Sequence, residues 1–245
     1  MAEQKRKILL LVEGDKTDAA LMERLLTLYQ LDVQYEIVSY CTNIYTLYHE
    51  MFEENDPDEI DLLQLLKSRE KNPERRGLFD AAYSDILLVF DLDPQAPDFS
   101  PEKIHVMSEY FSESSDMGKL YINYPMVEAF YHMSAIPDPA YNDRSAALAE
   151  LLKGSYKSRV NQENRNHDYR KFAVSRRECS IVICQNIEKA WWLLGEGANP
   201  VLLPPEQSRI LHLQLYLLSA EERISVLSTC PFFIADYNPA LLSEP

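Results

Sequence analysis

The chain reads as an α/β protein: a mostly parallel four-stranded sheet flanked by helices, followed by an α-helical lobe. Three observations carry that expectation. Two runs, Lys7 to Val12 and Asp85 to Phe90, are almost continuously apolar, as strands covered on both faces are. After the first of them, Ala19 to Tyr29 sets Leu21, Met22, Leu25, Leu26 and Leu28 on one broad helical stripe. Beyond Ser134 no segment reads as a strand until Phe232 to Ala235, and Glu178 to Leu194 and Pro205 to Thr229 read as helices.

The elements follow in order. The first strand stops at Glu13-Gly14, and Thr17 or Asp18 caps the first helix. Val33 to Tyr40 alternates as a second strand and completes a βαβ unit. Two helical patterns follow, Ile44 to Phe52 and Ile60 to Leu66, separated by the acidic turn Glu53 to Asp58; Ser68 to Arg76 reads as an exposed loop. The third strand ends in Asp91-Leu92-Asp93-Pro94. Ser100-Pro101-Glu102 then supplies an N-cap, an N1 proline and an early acid for a helix to about Phe111. Lys119 to Asn123 forms the fourth strand, and Pro125 opens a helix carrying Glu128. The seam at Ile136 to Arg144 divides a domain at 1–135 from a helical lobe at 136–245.

The 245 residues, 46% of them hydrophobic, suffice for a sizeable core. No apolar stretch reaches the roughly 18 to 20 residues that span a bilayer, and no secretory signal is read at the start. Cys41, Cys179, Cys184 and Cys230 lack CxxC spacing, so a reducing cytoplasm is expected. A net charge of -15 argues against coating nucleic acid indiscriminately. The balance reverses between Lys153 and Arg177. There Lys157, Arg159, Arg165, Arg170 and Lys171, with Tyr156, Tyr169 and Phe172 among them, are the candidate nucleic-acid contacts.

The chemistry gathers at strand ends. In open α/β sheets functional groups stand beyond the carboxyl ends of parallel strands, where Glu13 and Asp91 fall. Asp91 and Asp93, two apart on extended backbone, face one side. If the two strands are neighbours about 4.8 Å apart, Glu13, Asp91 and Asp93 can share a hard cation, Mg²⁺ or Mn²⁺. Such an ion aligns a phosphodiester and activates water. Bland readings stand beside this one. Asp15 and Asp18 either support the three acids from behind or, the reading preferred, cap the first helix; Glu128 answers a helix dipole, and a charge run is a solvated face. Lys119 and His132 carry no assigned role; His167 either serves a phosphate or acid-base chemistry or, the commoner case, is a surface residue, and Trp191 and Trp192 pack the lobe or an interface.

Leu11-Val12-Glu13-Gly14, followed much later by Val89-Phe90-Asp91-Leu92-Asp93, resembles the Toprim domain of topoisomerases, DnaG-type primases and OLD-family nucleases, a Rossmannoid fold, over residues 7 to 133. A closer similarity is to RloB-like small bacterial Toprim proteins of anti-phage defence. Their NP-x-x-E helix start is matched by Asn123-Tyr124-Pro125-Met126-Val127-Glu128, with Tyr124 inserted. The resemblance implies a Mg²⁺-dependent nuclease acting on RNA or DNA, with catalytic Glu13, Asp91, Asp93 and Glu128 and with an ATPase partner. Its alternatives are a nucleotidyltransferase of the same fold and a non-catalytic interaction subunit, which would form an oligomer. A DxD glycosyltransferase leaves Val12-Glu13-Gly14 unexplained. Six glycines, none in a glycine-rich loop after the first strand, argue against a dinucleotide or P-loop site.

Overall fold

The computed structural model describes residues 6–31, 33–57, 59, 61–115, 117–196 and 203–243. The first two thirds run β1 (Lys7–Val12), α1 (Thr17–Tyr29), β2 (Gln34–Ser39), α2 (Ile44–Tyr48, extended by a π turn His49–Glu53), α3 (Leu62–Arg69), α4 (Pro73–Arg76), β3 (Asp85–Asp91), α5 (Pro101–Tyr110), β4 (Ser112–Glu113), β5 (Gly118–Asn123), a 3₁₀ turn Val127–Tyr131, β6 (Ser145–Ala147), α6 (Leu148–Leu152) and α7 (Tyr156–Glu163). A 3₁₀ turn Tyr169–Lys171, α8 (Arg176–Leu193), α9 (Gln207–Glu221), β7 (Arg223–Ser225) and α10 (Phe232–Tyr237) complete it. The expected Ile60 and Asp58 lie outside the described residues.

The main sheet has five strands in the order β2-β1-β3-β5-β4. β2, β1, β3 and β5 are parallel, and the two-residue β4 adds an antiparallel edge that the four-strand expectation lacked. The apolar runs explain the parallel core: Leu9, Leu10, Leu11 and Val12 of β1 and Leu88, Val89 and Phe90 of β3 are buried, covered by helices on both faces. The chain leaves β1 for β2 on one side, then returns across β1 to β3 on the other. The carboxyl ends of β1 and β3 therefore flank the point where strand order reverses, the place where open α/β sheets form a crevice.

The second half is not purely helical. β6 and β7 pair antiparallel, Ser145 opposite Ser225, where strands were not expected. The helix expected to run to Thr229 ends at Glu221, because Glu222 turns to φ 50° and the chain enters β7. Phe232 to Ala235, expected as a strand, is helical in α10. Ser68 to Arg76, expected as a loop, holds the end of α3 and the short α4, capped by Asn72 accepting from the Glu74 N–H at 3.0 Å. The helix expected after Pro125 is a 3₁₀ turn. One continuous buried cluster extends from Ile8 to Leu242 and so joins the segments on either side of residue 136. No helix among the described residues is long and apolar enough to cross a membrane.

Gly118 opens β5 at φ +123°, and a Cβ there would lie 2.7 Å from Leu88 Cδ1 in the buried centre of the sheet. Gly118→Ala combines a disfavoured backbone with overpacking and should cost more than about 1 kcal/mol. Urea denaturation monitored by circular dichroism checks this.

Candidate functional site

Hydrogen bonding carries β1 one residue past its end. Glu13 N–H donates to Val89 O at 3.0 Å and Cys41 N–H donates to Glu13 O at 2.9 Å, so Glu13 is held between β3 and the end of β2. Its side chain then takes over from the ladder: Glu13 Oε2 accepts the Asp91 N–H at 3.0 Å. The two strands are neighbours, with Val12 opposite Val89, so the condition set by the sequence for bringing Glu13 to Asp91 is met.

Asp91 ends β3 opposite Asn123, which ends β5. The fully buried Asn123 donates from Nδ2 to Asp91 Oδ1 at 3.3 Å, while its own Oδ1 accepts from Ser228 Oγ at 3.2 Å and from the Cys230 N–H at 3.4 Å. Its amide orientation is thereby set by the segment after β7. Asp93 reaches the same region by another route than expected. It has φ 44°, in the left-handed region that aspartate tolerates, so alternation along an extended strand does not apply to it. Its N–H donates to Pro125 O at 3.1 Å, which zips the residues after β3 onto those after β5, and its Oδ1 accepts from Gln95 Nε2 at 2.7 Å.

Two further acids complete the cluster. Asp18 lies in the first turn of α1, yet α1 has Lys16 at its N-cap position and no side-chain cap, so the capping role expected of Asp18 or Thr17 is not played. Asp18 is instead buried against Gly14: a Cβ on Gly14 would stand 2.7 Å from Asp18 Oδ2, so a side chain there would displace the Asp18 carboxylate. Glu128, on the 3₁₀ turn after β5, is also buried and pairs through Oε1 with Lys157 Nζ at 3.3 Å. Asp18 Oδ1 and Glu128 Oε2 are buried oxygens without a hydrogen-bond partner.

The electrostatics follow from crowding. Burial, then the charge of Asp93, pushes Glu13 up to about 8. Burial, with Glu128 adding to it, pushes Asp18 up to about 6. Burial and the neighbouring Glu13, Asp18, Asp93 and Glu128 raise Asp91 well above the carboxylate range, and burial raises Asp93. Carboxylates kept from water beside one another disfavour their charged forms. Among the described residues, no three His, Cys, Asp or Glu side chains already stand around one point as a metal-holding group.

The basic stretch does not form a single face. Lys157 turns to Glu128; Arg159 pairs with Glu150 at 3.0 Å and donates to Ser145 O; Arg165 pairs with Glu178 at 2.8 Å. Arg170 and Lys171 stay out in solvent, their side chains 94% and 71% exposed, with Asp168 at 3.8 Å from each. Tyr169, between Asp168 and Arg170, donates to Lys157 O at 3.0 Å and stacks on Tyr131, which ties this segment to α7 and to the Glu128 turn. His132 is buried; burial depresses it to about 4. As a neutral ring it accepts from Tyr156 OH at 3.1 Å and donates from Nε2 to Glu163 at 2.9 Å, fastening α7 to the Glu128 turn. Lys119 pairs with Asp236, away from the cluster, and His167 is exposed at φ 52°. Trp191 donates to Leu203 O, and Trp192 is half exposed.

In the sequence Asn123 stands out only as the first residue of the NP-x-x-E match, Asp18 reads first as a helix cap and second as a supporting acid, and nothing marks the cluster role of Lys157. Asn123 had one further local signal, as a polar residue closing an apolar strand at the same sheet edge.

Folded-state values of about 8 for Glu13 and about 6 for Asp18 lie above the ordinary 4.5 and 3.8. The folded protein therefore keeps protons that the unfolded chain has released. The stability this gives is full in acid and is lost as pH rises through those values. In chelator-containing buffer the melting temperature should fall between about pH 5 and pH 9, and Glu13→Gln should flatten the fall.

Comparison with protein-family models, curated proteins and solved structures returns no match to this chain.

Proposed function

We propose that the chain is a Toprim-type phosphodiesterase that cleaves a nucleic-acid strand with Mg²⁺ or Mn²⁺, and that Glu13, Asp91 and Asp93 hold the cation. The observation that carries this reading is the acid crowding at the β1/β3 crossing point. Glu13, Asp18, Asp91, Asp93 and Glu128 gather there, and among the described residues their one ion pair is Lys157–Glu128. The donor set fits a hard ion: all are carboxylates, and Asp18 Oδ1 and Glu128 Oε2 are orphaned in the protein interior. The side chains stand apart from a finished coordination set because Glu13 is turned onto the Asp91 N–H and Glu128 onto Lys157.

When bound, such an ion supplies charge neutralisation and Lewis acidity at a phosphoryl group. The chain's own groups do the rest. Asn123 holds the Asp91 carboxylate by one oxygen, and Glu13 fixes the end of β3 through the Asp91 N–H. Arg170 and Lys171 present exposed charge to phosphates. On a chain of net charge -15 a short single-stranded stretch suits the site better than a long duplex. The resemblance adds a cytoplasmic role in anti-phage defence, beside an ATPase partner, to the same proposal.

Glu13→Ala and Asp91→Ala should remove Mn²⁺ binding in calorimetry and lower strand cleavage by more than about 100-fold; Asn123→Ala, acting through Asp91, should cost roughly 10- to 100-fold. Mn²⁺ binding and cleavage unaffected in both acid variants would refute the proposal. Arg170→Ala and Lys171→Ala should weaken strand binding without regard to sequence, each reducing the logarithmic salt slope by about 0.7.

A further inference from the structure

Lys157 was expected to meet a phosphate, but the fold points it at the acids. Its Nζ stands 3.3 Å from Glu128 Oε1, and while Glu128 is 4% exposed, the Lys157 side chain is 63% exposed. The ammonium is therefore at the rim, reaching inward to a buried partner. Burial disfavours its charge, yet Glu128, Asp91 and Asp93 together hold its pKa above the ordinary lysine value. The same charge acts on Glu13, Asp18 and Asp93. Lys157 thus bears on every acid of the cluster through its charge, while its ion pair among the described residues is with Glu128. The remaining Glu128 oxygen and Asp18 Oδ1 stay unpartnered, so one ammonium leaves the cluster short of positive charge.

We propose that Lys157 is a tethered stand-in for the cation: it occupies Glu128 in the metal-free site and is exchanged out when a divalent ion enters. The proposal rests on the metal-site reading above. The exchange is possible because the two ends of the residue are held differently. Its backbone is fastened, since Tyr156 and Glu163 of α7 are tied to His132 and Tyr169 OH donates to the carbonyl of Lys157 itself. Its four-carbon stem is not, and it can carry the ammonium to water at little cost. The direction of exchange is set by charge: a divalent ion among the acids repels an ammonium at 3.3 Å from one of them. Loading the ion and freeing Lys157 become one event, and the freed ammonium joins Arg170 and Lys171 on the solvent side.

The test uses the full chain and Mn²⁺ or Mg²⁺ alone, without substrate. Calorimetric titration should show Lys157→Met binding Mn²⁺ several-fold more tightly than the wild type, the competitor having been removed. In the wild type, saturating Mg²⁺ should shift the Lys157 side-chain NMR resonance toward that of a solvated lysine. Equal or weaker Mn²⁺ binding by Lys157→Met, with a Lys157 resonance unmoved by Mg²⁺, would overturn the exchange and leave the metal site standing. Absence of Mn²⁺ binding in both proteins would overturn the metal-site reading itself, and the exchange with it.

Discussion

Carboxylate crowding at the carboxyl edge of a parallel sheet is the constraint around which the rest of the molecule is arranged. Glu13 and Asp91 are brought there by strand pairing, Asp93 by a left-handed turn, Asp18 by the first turn of α1 and Glu128 by the turn after β5. Each origin is different, and each residue loses water in arriving. Charge at close range in such surroundings is opposed by desolvation first and by like neighbours second, the order seen at Asp91. A fold under no demand for these charges would relieve the crowding with an amide or a further cation.

The surrounding structure keeps the acids in place. Tyr45 OH donates to the buried Leu92 carbonyl at 2.5 Å, Leu92 N–H donates to Asn123 O at 3.0 Å, and Asp93 N–H donates to Pro125 O. The chain after β7 returns to the same point: Leu227 bridges Tyr124, Thr229 Oγ1 donates to Ile122 O at 2.8 Å, and Ser228 and Cys230 set Asn123. The last fifth of the chain is thereby part of the site's support. The His132–Tyr156–Glu163 tie and the Arg144 bonds to Glu163 and Asp138, at 2.8 and 2.9 Å, fix α7 on the other side.

Much of this was legible in local sequence pattern. Continuous apolar runs marked β1 and β3, and acids at their ends marked the site, because burial on both faces and polarity at the strand end are properties of adjacent residues. Asp93 departs from the extended alternation that its spacing from Asp91 suggests, since β3 ends at Asp91 and Asp93 has a positive φ. Asp18 was visible as an acid but read as a cap, because a capping acid and a buried acid in a first turn look the same in sequence. β6 and β7 were hidden because three-residue strands have no periodicity to read and pair across some eighty residues. Lys157 was grouped with a basic run that its tertiary partners divide: Glu128, Glu150 and Glu178 each take one of its members. Charge in a sequence shows how much there is, and pairing decides where it acts.

The central claim is that the acids at the ends of β1 and β3 converge on one cation. The most direct measurement is anomalous diffraction from a crystal soaked in Mn²⁺. A peak bounded by Glu13, Asp91 and Asp93, with carboxylate oxygens roughly 2 Å from it, is the predicted result. A well-diffracting soaked crystal whose anomalous map is featureless between those three residues, with Glu13 still on the Asp91 N–H, would contradict it.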